Sequence, residues 1–181
     1  HHRIKIMNLI KNHIIIKDNF FDEKIFKEIQ KDISNLQFTN RYLAVNNDSK
    51  NTYQKIYFDV KLNFKHFAVE EVFKNLKKSH NNLKLVSSNY FLSTKHEEAT
   101  PHKDAGIDLN CLIYIKGNYL INNGTGFYDK RDNNLVLNTH VGFKENRAII
   151  FDSNIYHTSL QFNKNCGARY IMANFFNYEP Q

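Results

Sequence analysis

Residues 111–115 read Cys-Leu-Ile-Tyr-Ile, an uninterrupted apolar run with branched and aromatic side chains. Such a run, followed by the turn residues Gly117 and Asn118, is typical of a β-strand. A strand with one face in water alternates apolar and polar residues, and this run does not alternate. We therefore predict a strand that is buried on both faces, so that each face needs its own layer of packing.

The chain on both sides of this strand carries more short runs of the same kind, separated by turn residues such as Asn122-Asn123-Gly124. The predicted strands are Leu83–Leu92, Leu109–Ile115, Thr125–Tyr128, Asn134–Asn138, Thr139–Phe143, Ala148–Phe151 and Tyr170–Phe176. Many short strands at this spacing indicate a sandwich or a barrel. We predict a mainly β protein whose core, residues 83–177, is a double-stranded β-helix of the jelly-roll, cupin-like kind.

The first half of the chain is expected to supply helices that cover one face of this barrel. Asp22 stands where a helix N-cap belongs, and apolar residues recur at helical spacing over 25–36. A second amphipathic helix is predicted for Phe67 to about Lys78. Short strands are predicted at His13–Lys17, Arg41–Val45 and Tyr57–Val60. We expect one domain over residues 1–181, with the helical support in residues 20–80.

The composition is that of a globular protein, with 41% hydrophobic and 24% charged residues. No apolar run is long enough to span a bilayer, and no signal-peptide pattern is recognisable. Cys111 and Cys166, both expected to be inert small hydrophobes, fit a reducing compartment. We therefore expect a cytoplasmic protein with no membrane partner, and we leave His1 and His2, which resemble the end of a purification tag, out of the candidate site.

The formal net charge of +7 raises the alternative of a basic nucleic-acid-binding domain. The lysines are spread over the whole chain, however, and only Lys77 and Lys78 are adjacent lysines. No basic block with interleaved aromatic residues is present. The distribution of charge therefore argues against nucleic acid as the partner.

A candidate transition-metal site lies in the β-rich half. His102 and Asp104 stand two positions apart, so that on an extended strand both side chains reach one point. A second imidazole has to come from His140 or His157, and His157 follows the apolar run at 148–151, near the predicted mouth of the barrel. We expect His140, like His96, to be a solvated loop residue. Two imidazoles and one carboxylate on one side of a metal ion leave open positions for reactants.

Arg169 opens the last predicted strand, which is otherwise rich in apolar and aromatic residues. An inward-facing arginine there needs an anion, because a buried charge without a partner is costly. A guanidinium group holds a carboxylate by two parallel hydrogen bonds. The sequence therefore indicates a carboxylate ligand inside the barrel.

In this order and spacing, His102-x-Asp104, His157 and Arg169 resemble the Fe(II)/2-oxoglutarate-dependent dioxygenase superfamily. The intervening sequence is similar to the prolyl-4-hydroxylase-like branch of that superfamily. The similar segments are residues 112–116, 124–128 and 146–151. The resemblance covers about the last half of the chain.

The resemblance implies that the two histidines and the aspartate bind Fe(II). It implies that Arg169 and Tyr114 hold the far carboxylate of 2-oxoglutarate, and that Tyr90 is a second tyrosine lining the co-substrate pocket. Asn110, which shares a strand face with Tyr114, is predicted to reach into the same pocket.

The implied activity is hydroxylation of a C–H bond with 2-oxoglutarate and O2, releasing succinate and CO2, with ascorbate as a reductant. The substrate would be a peptidyl residue such as proline, or a small metabolite. Ile171 stands where many members carry Ser or Thr, and Phe175 stands where nucleic-acid demethylases carry a second arginine. The alternative from another class is a jelly-roll module that binds metal and ligand without turnover. The loops expected to select the substrate, 38–54, 95–100 and 118–123, show no readable pattern.

Overall fold

The computed structural model describes residues 14–44, 54–93, 101–120, 123–161 and 168–180. In these ranges the chain forms two helices, α1 (Glu23–Asn35) and α2 (Phe67–Leu76). The strands are β1 (Ile15–Lys17), β2 (Thr39–Ala44), β3 (Gln54–Lys61), β4 (Leu83–Ser93), β5 (Leu109–Lys116), β6 (Asn123–Arg131), β7 (Asn134–Gly142), β8 (Ala148–Asp152), β9 (Tyr156–Gln161) and β10 (Arg169–Tyr178). Neither helix is long and apolar enough to cross a membrane.

The strands form two antiparallel sheets that face each other. The larger sheet has the order β1-β8-β5-β10-β4-β3-β2, and the smaller has the order β7-β6-β9. An isolated bridge between His102 and His157 adds the segment before β5 to the edge of the smaller sheet. This arrangement confirms the predicted jelly roll with helices in the amino-terminal half.

Strand β5 lies at the centre of the packing, as its apolar run predicts. Every residue of β5 except Lys116 is buried. Cys111, Ile113 and Ile115 belong to the apolar cluster that includes the buried faces of α1 and α2. Leu112 and Tyr114 belong to a second cluster, between the two sheets. The two faces of one strand thus serve the helical layer and the barrel interior.

Helix α1 begins at Asp22, whose side-chain oxygen accepts a hydrogen bond from the backbone N–H of Ile25. Its apolar stripe, Phe26, Ile29 and Ile33, is buried against the outer face of the larger sheet. The predicted N-cap and the predicted buried face are both confirmed.

Two details of the strand prediction were wrong. The segments 134–138 and 139–143 form a single strand, β7, which ends at Gly142. His157 follows the apolar run and its turn, as predicted, but it lies in a strand that was not predicted, β9, because the polar segment Tyr156–Gln161 pairs with β6. Residues 13, 45, 96 and 166, and most of the predicted substrate loops, lie outside the described residues.

A salt-bridge cluster fastens the segment after β1 to the connection between β7 and β8. One carboxylate oxygen of Asp18 lies 2.6 Å from Arg147 Nε, and the other lies 2.7 Å from Lys144 Nζ. The hydrogen bonds from Arg147 and then from Lys144 hold the pKa of Asp18 well below its ordinary value. Asp18 is therefore ionised in the folded protein throughout the neutral range.

Replacing Asp18 by asparagine should lower the free energy of unfolding at pH 7 by about 1 kcal/mol, the discounted value for a half-exposed network of this kind. Because the folded-state pKa is depressed, the stabilisation is present above the unfolded-state pKa, about 3.9, and is lost as the pH falls below it. Urea unfolding should therefore show a smaller difference between wild type and D18N at pH 3 than at pH 7. The control is D129N, since the Asp129 carboxylate accepts a hydrogen bond from the neutral amide of Asn138. An equal difference at both pH values would contradict the prediction.

Candidate metal centre and carboxylate pocket

Two backbone hydrogen bonds bring the predicted metal ligands together. The N–H of His102 donates to the carbonyl oxygen of His157 at 3.0 Å, and the N–H of His157 donates back at 2.9 Å. This antiparallel pair sets the two imidazoles side by side, with ring centroids 4.7 Å apart. Asp104 follows two residues after His102 and turns its carboxylate to the same point.

The three side chains form a compact ligand set. His157 Nε2 lies 3.4 Å from one oxygen of Asp104, and His102 Nε2 lies 3.7 Å from the other. All three candidate ligand atoms lie within 4.8 Å of one another. The side chain of His157 is 7% exposed and that of His102 is 45% exposed. The centre therefore has one side in the barrel wall and one side open.

Neighbouring groups orient these ligands. His157 Nδ1 lies 3.0 Å from the carbonyl oxygen of Ile155, which only accepts hydrogen bonds, so Nδ1 carries a proton and Nε2 is the ring nitrogen turned to the metal centre. Burial raises the pKa of Asp104, but the hydrogen bond from His157, the nearby imidazoles and the bond from Asn110 outweigh burial. The net effect lowers the pKa of Asp104, so the carboxylate is ionised and can serve as an anionic metal ligand. Two imidazole nitrogens and a carboxylate oxygen on one side suit a non-haem Fe(II) ion.

Arg169 lies at the start of β10 and is 3% exposed. Its Nη1 donates to the carbonyl oxygen of Gly124 at 2.6 Å, and its Nη2 donates to the hydroxyl of Ser159. Both partners belong to the smaller sheet. The guanidinium group therefore lies between the two sheets, on the interior side predicted for it.

Tyr114 shares the interior face with Arg169. It pairs with Ile171 of β10, two residues after Arg169, and its ring is fully buried. Its hydroxyl lies 2.7 Å from Thr125 Oγ1 and donates to the carbonyl oxygen of Val141 at 3.2 Å. Burial raises the pKa of Tyr114 to about 12, against the opposing charge of Arg169. The phenol is therefore protonated, and by rotation of its hydroxyl it can donate that one proton to an anion held by the arginine instead of to the Val141 carbonyl oxygen.

The structure does not bring Tyr90 to this pocket. Tyr90 pairs with Met172, one position out of phase with Ile171, so its side chain lies on the helix-covered face of the larger sheet. There it meets the ring of His66 edge-on at 6.0 Å. Its neighbour Phe91 is the residue of this pair that packs on the interior face. The prediction that Tyr90 lines the co-substrate pocket was therefore wrong, because its side chain points to the opposite face of the sheet.

Asn110 does lie on the interior face, as predicted, and is fully buried. Its Nδ2 donates to Asp104 Oδ2 at 2.6 Å, so it contacts a metal ligand directly.

His140 is not a solvated loop residue, because it lies in β7 and is partly buried, which lowers its pKa. It faces Gly124, where an added Cβ would lie 2.7 Å from His140 Nε2 and 2.2 Å from the Val141 carbonyl oxygen. Only glycine fits at position 124, whose carbonyl holds Arg169. The glycine-rich segment stands out in the sequence, but Thr125 and Ser159 were not predicted, because small hydroxyl residues in strands carry no distinctive signal.

A cavity of about 560 Å³ is lined by Tyr119, His140 and Phe143, among others, and by none of the three candidate metal ligands. Its two cations, Lys144 and Arg147, are already bonded to Asp18. We assign no ligand to this cavity.

No family model and no curated protein matches this sequence. Solved structures do match in fold. The non-heme alpha ketoglutarate dependent epimerase SnoN from nogalamycin biosynthesis aligns with a TM-score of 0.65 at 10% identity, over 99% of this chain and 86% of SnoN. HygX from Streptomyces hygroscopicus, solved with nickel, 2-oxoglutarate and hygromycin B, aligns with a TM-score of 0.62 at 10% identity. That alignment covers 98% of this chain and 87% of HygX.

A prolyl hydroxylase from Trichoplax adhaerens, in complex with a hypoxia inducible factor peptide fragment, aligns with a TM-score of 0.60 at 15% identity. The alignment covers 95% of this chain and 89% of that chain. These likenesses show that the chain has the fold of 2-oxoglutarate-dependent oxygenases, as the sequence motifs imply.

Proposed function

We propose that this protein is an Fe(II)- and 2-oxoglutarate-dependent oxygenase that hydroxylates a C–H bond. The observation that carries the proposal is the pairing, inside one jelly roll, of the His102-Asp104-His157 centre with a buried arginine on the interior face. Three ligands without the arginine would suit any metal site, and a buried arginine without the ligands would suit any anion. Together they match the two ends of a 2-oxo diacid, since one end chelates a metal and the other end needs a cation.

In this proposal His102, Asp104 and His157 hold Fe(II), and their open side receives the reactants. When bound, Fe(II) supplies the electrons and the vacant coordination positions on which O2 activation depends. The overall conversion takes 2-oxoglutarate, O2 and a C–H group to succinate, CO2 and a C–OH group. Ascorbate would serve as an auxiliary reductant.

The chain itself positions and shields these reactants. Arg169 and Tyr114 anchor the far carboxylate of 2-oxoglutarate between the two sheets. Phe127 and Phe151 pack against each other with centroids 4.9 Å apart, and Phe151 lies 4.8 Å from the His157 ring. This aromatic wall keeps water from the buried side of the centre, which favours reaction with the substrate over side reactions.

For the substrate we propose two chemical classes. A peptidyl residue such as proline is one class, supported by the prolyl hydroxylase that binds a peptide fragment. A small metabolite is the other, supported by HygX with bound hygromycin B. Assaying succinate release with a proline-containing peptide library and with a set of small polar metabolites would separate the two.

The direct test is turnover and binding by purified protein with Fe(II), ascorbate and 2-oxoglutarate. We expect metal-dependent binding of 2-oxoglutarate under anaerobic conditions and succinate formation in air, with no succinate from the His157→Ala control. Binding without succinate in any substrate mixture would favour the module that lacks turnover. Failure of both measurements would reject the oxygenase.

Replacing Tyr114 by phenylalanine should weaken 2-oxoglutarate binding about 10-fold, because a hydrogen bond to a charged group is lost. The measurement is calorimetric titration of the Co(II)-loaded protein without O2. Tyr90→Phe is the matched control, since Tyr90 is an equally buried tyrosine on the opposite face of the sheet. Equal affinities for Y114F and wild type would remove Tyr114 from the co-substrate site.

A further inference from the structure

Asn110 joins the barrel wall to the metal centre. It lies on β5, is fully buried, and faces the barrel interior between Leu112 and the metal ligands. Its Nδ2 donates to Asp104 Oδ2 at 2.6 Å, a short and charge-assisted hydrogen bond. Asp104 itself lies in the connection between β4 and β5, outside any described strand. The amide therefore ties a loop ligand to the central strand of the fold.

The orientation of the Asn110 amide follows from its partner. An ionised carboxylate only accepts hydrogen bonds, so the group that faces Asp104 has to be the NH2 group. The Oδ1 atom consequently points elsewhere in the interior, where it is buried and accepts no hydrogen bond from any described residue. One amide thus directs its donor group to the metal ligand and leaves its acceptor oxygen without a described partner in the barrel interior.

We propose that Asn110 is a positioning residue for Asp104: its Nδ2 fixes the plane of the carboxylate, so that Oδ1 of Asp104 is the oxygen left for the metal. The inference rests on the proposed function, because it takes the three residues to be a metal site. Hydrogen bonds of this kind to metal ligands change metal affinity by about 10- to 100-fold.

The same geometry gives Asn110 a different role from the co-substrate contact that the sequence suggests. The carboxylates and the ketone of 2-oxoglutarate carry no N–H or O–H at neutral pH, so they cannot satisfy the Asn110 Oδ1 acceptor. The donor for that atom belongs to water or to the prime substrate. Asn110 therefore acts on the metal ligand, and 2-oxoglutarate affinity should not depend on it once the metal is bound.

The test uses Asn110→Leu, which keeps the approximate shape and removes both the donor and the unused acceptor. Co(II) alone is the metal probe, titrated by its visible absorption. We expect N110L to bind Co(II) about 10- to 100-fold more weakly than wild type. The thermal midpoint of metal-free N110L should stay close to that of the metal-free wild type. The variant loses the hydrogen bond to Asp104, but it also removes a buried acceptor that has no partner among the described residues. At saturating Co(II), the Kd of 2-oxoglutarate should change by less than about threefold, below the effect of one lost hydrogen bond.

Asn174→Leu is the matched control. Asn174 is an equally buried asparagine on the opposite face, bonded to the Cys111 carbonyl and the Ser88 hydroxyl. N174L should lower the thermal midpoint and leave Co(II) affinity unchanged. If N110L does not fold, Asn110→Ser takes its place, because the serine side chain is too short for its hydroxyl to reach Asp104.

Each outcome decides between distinct claims. Wild-type protein that does not bind Co(II) would overturn the metal site and this inference together. Wild-type protein that binds Co(II), with N110L equal to it, would overturn the positioning role alone. If N110L binds Co(II) as tightly as wild type but binds 2-oxoglutarate much more weakly, Asn110 is a co-substrate ligand and not a positioning residue.

Discussion

Asp104→Ala protein is expected to lose Co(II) binding by more than about 100-fold, because even changes in the residues around a metal ligand cost about 10- to 100-fold. Asp104 is the one carboxylate in the described ligand set, and the variant leaves two imidazoles with no anionic donor. Succinate formation from 2-oxoglutarate should fall to background in parallel. The measurement is Co(II) titration by visible absorption, followed by succinate assay with Fe(II).

The control for this prediction is Asp152→Ala, a neighbouring carboxylate whose oxygen accepts from the backbone N–H of Asn154 in a turn. That variant should retain metal affinity while losing some stability. Near-normal Co(II) affinity in D104A would mean that the metal, if any, binds elsewhere, and the proposed function would lose its centre.

Arg169→Met protein should bind 2-oxoglutarate about 30-fold or more weakly while keeping its metal affinity, since truncating one partner of a buried charge pair costs ~2–5 kcal/mol. Methionine preserves much of the apolar stem in a position that is 3% exposed. A second readout tests the role itself. Wild type should prefer 2-oxoglutarate to pyruvate, which lacks the far carboxylate, and R169M should lose that preference.

Arg147→Met is the control, because Arg147 is a partly buried arginine whose guanidinium group is bonded to the carboxylate of Asp18. R147M should be less stable and still discriminate between 2-oxoglutarate and pyruvate. If R169M discriminates as well as wild type, the far carboxylate is anchored by another group.

The sequence predicts best those parts of the fold whose packing is strictly apolar. The run at 111–115, short, rich in branched and aromatic residues and followed by Gly117, predicts a strand, and a strand with apolar residues in both side-chain directions has to be covered on both faces. The N-cap Asp22 likewise predicts the start of α1. Strand β9 was missed because Tyr156–Gln161 is polar and owes its strand form to hydrogen bonds with β6, which leave no trace in hydrophobicity.

The site shows the same division. His102 and Asp104 are linked by the two-residue period of an extended chain, and the structure brings both of them to His157. The position of Tyr90 was wrong because a shift of one residue in register turns a side chain to the other face, and spacing along the chain cannot fix register. The role of Asn110 depends on a contact between a strand and a loop, so it emerges only from the fold.

The hold of the smaller sheet on Arg169 has a thermodynamic consequence for ligand capture. The guanidinium group is already fixed by Gly124 and Ser159 before any carboxylate arrives. Ordering a free arginine side chain costs up to ~2 kcal/mol of conformational entropy. In this protein the side-chain entropy of the arginine is lost when the chain folds. An incoming diacid therefore meets a preorganised cation, and its binding should cost less entropy than binding to a mobile surface arginine.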